Sequence, residues 1–174
     1  MKKLLSIAAV AALLSTGAMA DDTINITGTI LPSAVVGFVD VSGQTLTGTD
    51  KFIDASIDLG THEVNTFNAD ATTASSQSIY VKTNVATGHA VTMKIASENG
   101  NNLVDSVSGA TIPVVYKIGT TELATDASNS ATLATGANAG STAINDKFTI
   151  TPTAANDQLA GKYDATLSVT ITAS

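Results

Sequence analysis

The 174-residue chain has no cysteine, no arginine and no tryptophan, and only seven aromatic residues, four Phe and three Tyr. Without cysteine there is no thiol nucleophile, no thiolate metal site and no disulfide, so stability has to come from packing alone. Without arginine, and with fifteen acids against eight lysines, the surface repels phosphate backbones. That excludes nucleic acid as a partner and disfavours an anionic membrane surface, since both need basic clusters. Internal repeats at solenoid or propeller periods are missing too, so the chain is one unit and not an array.

The one long apolar run stands at the start. Lys2 and Lys3, the stretch Leu4 to Leu14 and the small residues Ala18-Met19-Ala20 read as an export signal over residues 1–20. The run falls short of the roughly 20 residues a membrane-spanning helix needs, and no later segment supplies one. The expectation is a mature product starting at Asp21, exported and without membrane insertion. Losing Lys2 and Lys3 takes the formal charge from −7 to −9. The remaining 154 residues suit one domain. If another chain supplies part of its packing, the isolated monomer depends on assembly.

What is present is Thr, Ser, Val, Ile and Ala, with apolar residues recurring at spacing two. The runs are Ile24 to Ile30, Ala34 to Val41, Phe52 to Leu59, Ser78 to Thr83, His89 to Ala96, Ile112 to Ile118, Lys147 to Thr151 and Lys162 to Thr172. They predict an all-β fold, a sandwich. Ser42-Gly43, Glu98 to Asn102 and Ser108-Gly109 supply turn chemistry. The low-complexity stretch 126–142 reads as a long exposed excursion with at most a short helical turn.

The two ends are the most regular parts. Ile24, Ile26, Gly28 and Ile30 share one face of a strand, and Pro32 follows it, separating it from what comes behind. This is either an ordinary first strand or one that leaves to complete a neighbour's sheet by β-augmentation, with the isoleucines in pockets and Gly28 allowing close approach. At the other end Tyr163, Ala165, Leu167, Val169 and Ile171 share the inner face of an alternating strand, which suits either a closing strand or one wall of an accepting groove.

Ile24-Asn25-Ile26-Thr27-Gly28-Thr29-Ile30, then Pro32 and Val35-Val36, together with Ala160-Gly161-Lys162-Tyr163 and its alternating strand, resemble the major pilins of the colonization factor antigen I family. These are fimbriae of the alternate, or alpha, chaperone–usher class. The resemblance implies an incomplete immunoglobulin-like β-sandwich completed by a strand donated from a neighbouring subunit. Residues 21–31 would be the donor extension, 32–174 the pilin domain, and Tyr163 to Ile171 the flank of the acceptor groove. It also implies the partners: copies of the same chain in a head-to-tail helical filament, a periplasmic chaperone, an outer-membrane usher and a tip adhesin subunit. The product would be a surface fimbrium used for adhesion. Donor and acceptor are different surfaces, so such an assembly stays open. The Leu31–Pro32 bond, whose isomers differ by only about 0.5–1 kcal/mol, is read as a hinge at Pro32.

Catalytic, metal and cofactor sites are not expected. His62-Glu63 opens like a zinc-protease motif, but position 66 is Thr, so the second ligand is missing; His62 reads as a surface residue at a strand edge and His89 as a turn residue. Neither a nucleophile elbow nor a phosphate-binding loop occurs. Asp54 and Asp58 read as solvated acids rather than a glycosidase pair. The competing function is a secreted monomeric β-sandwich that binds carbohydrate or a receptor, which the scarcity of aromatic platforms weakens.

Overall fold

The computed structural model describes residues 29–136 and 138–174. Leu31–Ser174 forms one compact unit, and of the residues ahead of it only Thr29 and Ile30 are described. The elements run β1 (Ala34–Gly37), β2 (Lys51–Phe52), α1 (Phe67–Ala74), β3 (Gln77–Thr83), β4 (Ala90–Ser97), β5 (Asn102–Asp105), β6 (Thr111–Ile118), β7 (Thr121–Leu123), β8 (Ala131–Thr135), β9 (Asn138–Pro152), β10 (Tyr163–Asp164) and β11 (Leu167–Ala173).

Strict alternation builds the core. Ile79 and Val81 of β3, Val91, Met93 and Ile95 of β4, and Ile112, Val114, Tyr116 and Ile118 of β6 all point inward and are buried. Each such side chain contributes about 1.5–3 kcal/mol of transfer free energy, and period-two spacing puts all of them on one face. They form a single cluster spanning two sheets, so the chain is a two-layer β-sandwich. The larger sheet has the order β10-β5-β6-β9-β3-β1-β2, with β7 added to β6; the smaller is β11-β4-β8. Pairing is antiparallel except for β1 with β2. Gly37 lets these two ends meet closely, since a Cβ there would lie 3.1 Å from Val41 and 3.3 Å from Ile53.

The entry to the unit is tied down by one side chain. Asn84 accepts from the Ser33 amide (2.6 Å) and donates to the Leu31 carbonyl (3.0 Å). Pro32, which has no amide to satisfy, is exposed between these two bonds, and no described peptide bond is cis.

Several expectations are corrected. The Ala34 to Val41 run forms a strand only over Ala34–Gly37, and the Phe52 to Leu59 run only at Lys51–Phe52. The stretch 126–142 is not an exposed excursion: it holds β8 and the start of β9, whose fifteen residues begin well before Lys147. Lys162 to Thr172 is not one strand either. The chain leaves the larger sheet after Asp164 and joins the smaller at Leu167, so Tyr163 and Leu167 belong to different sheets. Helix α1 and the short strands β5 and β7 carry too few periodic residues to be read from the sequence.

Candidate functional site

A groove of about 1210 Å³ lies between two walls. One wall is residues 52–64 and the other residues 159–167 with Val169; Met93, Leu103, Ile112, Tyr116, Phe148 and Ile150 contribute the floor. Six of the seven aromatic residues line it, all except Tyr80. Four of them pack in series: Phe52 edge-on to Phe38 (5.2 Å), Phe38 stacked on Phe148 (5.1 Å), and Phe148 stacked on Tyr116 (6.2 Å). The rings are spent on each other rather than offered as flat platforms. The volume exceeds the roughly 300–1,000 Å³ of an ordinary small-molecule site.

The β11 wall has an open main-chain edge. Ser174 and Ala90 exchange both amide–carbonyl bonds (3.0 and 3.1 Å), and in an antiparallel ladder the hydrogen-bonded pairs recur every second residue. Thr172, Thr170 and Ser168 therefore bond to β4, opposite Thr92, Lys94 and Ala96. The amides and carbonyls of Leu167, Val169, Ile171 and Ala173 then face away from β4. Ala173 confirms this direction, because its amide donates to Asp50 Oδ2 at 2.8 Å. No described residue bonds the main chain of Leu167, Val169 or Ile171 on that side. The side chains of these residues turn inward: Ile171 is buried, while Leu167 and Val169 are only half-buried against the core.

The opposite wall is the counterpart. Ile57 and Leu59 turn inward, half-buried, while Asp54, Ser56 and Asp58 face out. After the Ile53 amide donates to Val36 (2.8 Å), no backbone–backbone bond among the described residues joins 54–62 to a strand. The alternation read from the sequence holds only over 56–59, and the ladder is absent among the described residues. Local bonds hold the segment: Asp58 accepts from the Gly60 amide (2.8 Å) and His62 Nε2 bonds the Leu59 carbonyl. His62 is not a surface residue, being 13% exposed, edge-on to Phe67 and 3.8 Å from Asp70.

The Tyr116 hydroxyl is buried with no hydrogen-bond partner among the described residues. Burial pushes its pKa up to about 12. At the groove's far end Tyr163 donates to the Leu159 carbonyl (2.7 Å) and accepts from Gln158 (2.7 Å).

Of the residues singled out in the sequence, Tyr163, Ala165, Leu167 and Val169 line the groove and Ile171 lies just past its buried end. Ile24, Ile26 and Gly28 lie outside the described residues, and Ile30 is exposed. The 52–64 wall and the roles of Asp50, Asn84 and Tyr116 were not foreseen; clustering of aromatics was the one signal available, and it needs the fold to be seen. Among the described residues no three His, Cys, Asp or Glu side chains are grouped to hold a metal ion.

No family model and no curated protein matches the chain. Among solved structures it is similar to the P pilus rod subunit PapA, with a TM-score of 0.43 and 15% identity over 70% of this chain and 93% of that one.

Proposed function

We propose that this chain is a structural pilin whose groove accepts an extended strand from a second copy. The observation that carries it is the pairing of an open main-chain edge on β11 with an apolar floor beneath it. A strand laid there satisfies the facing amides and carbonyls and covers Leu167 and Val169 in one step, which is β-augmentation with pockets. A small-molecule site has no need of a row of main-chain groups.

On this reading residues 21–31 are the donor, with Ile24, Ile26, Gly28 and Ile30 facing the floor, and the sandwich is of the incomplete immunoglobulin-like kind. Residues 1–20 direct export, the role is structural rather than catalytic, and the product is a surface filament of the alpha chaperone–usher class. A periplasmic chaperone would cover the groove before an usher brings in the next subunit, and a tip adhesin would end the filament. The Asn84 bonds to the Leu31 carbonyl and the Ser33 amide hold the chain at the junction between this donor and the sandwich.

The test is removal of residues 21–31, followed by refolding alone and with a peptide of that segment. The expected result is loss of polymers and a weakened monomer whose melting temperature the peptide raises. A stable monomer indifferent to the peptide would overturn the reading in favour of a monomeric binding module.

A further inference from the structure

We propose that Asp50 is a register stop: by occupying the last outward amide of β11, it fixes where a strand entering the groove must end. The inference rests on the strand-accepting reading above. Asp50 stands just before β2, at the root of one wall, and Ala173 near the end of the other. Its Oδ2 accepts from the Ala173 amide (2.8 Å) and its Oδ1 from the Ala34 amide (3.0 Å). The carboxylate therefore ties together the first residue of β1 and the last of β11, in two different sheets. Within the groove the lining runs only as far as Phe52 on one wall and Val169 on the other. Ile171 and then the Asp50 bridge close the end beyond them.

The consequence for an incoming strand is positional. Outward main-chain groups on β11 recur every second residue, and a strand can slide only by two residues if its apolar face is to stay inward. Leu167, Val169 and Ile171 have groups to offer. At Ala173 the next position is already taken by a charge-assisted bond, which is stronger than a neutral one. Sliding two residues towards the C-terminus would require the strand to displace the carboxylate, leaving both amides it holds to find other partners. One register is thereby favoured roughly tenfold or more over its neighbour. Without this device, a donor face of repeated isoleucines around one glycine has little else to distinguish a slip of two.

Cross-linking tests this in full mature chains, because the protein has no native cysteine. One copy carries Thr27→Cys on the donor's polar face. The other carries Ser168→Cys, Thr170→Cys or Thr172→Cys on the outer face of β11, where directly opposed Cβ atoms lie within disulfide reach. The expected result is one dominant partner with Asp50 present, and a second partner displaced by two residues towards Thr172 once Asp50→Ala is introduced in the acceptor. The same single partner in Asp50→Ala, or several partners with Asp50 present, would overturn the register stop while leaving strand acceptance intact. Cross-links to none of the three would overturn both. Should Asp50→Ala fail to fold, hydrogen exchange on the unmodified chain decides. Assembly is expected to protect the Leu167 and Val169 amides and leave the already protected Ala173 amide unchanged; a gain of protection at Ala173 on assembly would overturn the stop.

Discussion

Strands β8 and β11 are the two flanks of the smaller sheet, and both pair with β4. On β8 the inward residues Ala131 and Leu133 are 2% and 6% exposed. On β11 only Ile171 is comparably covered, and Leu167 and Val169 are half-exposed although they alternate just as regularly. The covering layer explains the difference. Beneath β8 the core is closed, whereas beneath β11 the layer stops at the 52–64 wall, which turns Ile57 and Leu59 inward while no described main-chain bond joins it to β11. The half-buried flank, next to a buried one on the same central strand, is where the proposed donated strand would pack.

Three substitutions sharpen or break that contrast. The largest effect is expected from Leu133→Ala, which opens a cavity in the finished flank and lowers unfolding free energy by about 2–5 kcal/mol. Denaturant unfolding should show the loss in monomer and polymer alike; a loss confined to the polymer would mean that β8 is the unfinished side.

Val169→Ala removes a half-exposed side chain and should cost the monomer under about 1 kcal/mol. On the proposed strand-accepting reading a donated strand covers the same site in the polymer, so polymer dissociation should accelerate well beyond what the monomer's loss accounts for. Equal effects in both states would remove the distinction between the flanks.

The smallest effect is expected at Tyr116, whose buried hydroxyl has no hydrogen-bond partner among the described residues. Tyr116→Phe should stabilise the monomer by about 1 kcal/mol. It should also remove an alkaline transition. The folded pKa of about 12 lies above the ordinary 10.0, so the folded state holds the phenolic proton more tightly. Stability is then full below pH 10 and falls as pH rises towards about 12. Unfolding followed across that interval should differ between the native chain and Tyr116→Phe; identical alkaline profiles would show that the phenol titrates freely.

Much of the fold was legible because side-chain periodicity is written directly in the residues. The inward sets of β3, β4 and β6 stand where alternation placed them. The misreadings share a cause. In 126–142 the side chains are almost all small, so Ala131 and Leu133 give little contrast with their neighbours, and β8 and early β9 are held by ladder bonds to β4 and β3 that composition does not reveal. The Phe52 to Leu59 run reads as a strand, yet side-chain pattern reports which way residues point and not whether a main-chain partner exists. Asp50 and Asn84 act as single polar residues across separations of 123 and 51 positions, with no pattern to announce them.

By itself, then, the sequence determined that the chain is built from strands, which residues of most strands face inward, and that no disulfide could hold the layers together. Tertiary structure alone decided that the outward edge of β11 has no ladder partner among the described residues, that six of the seven aromatics line the groove beside it, and where the Asp50 carboxylate bonds its last amide. The physical reason is that inward-facing side chains differ from outward-facing ones in chemistry, whereas the amide and carbonyl that make a ladder are the same in nearly every residue, so their pairing is set only when the layers come together.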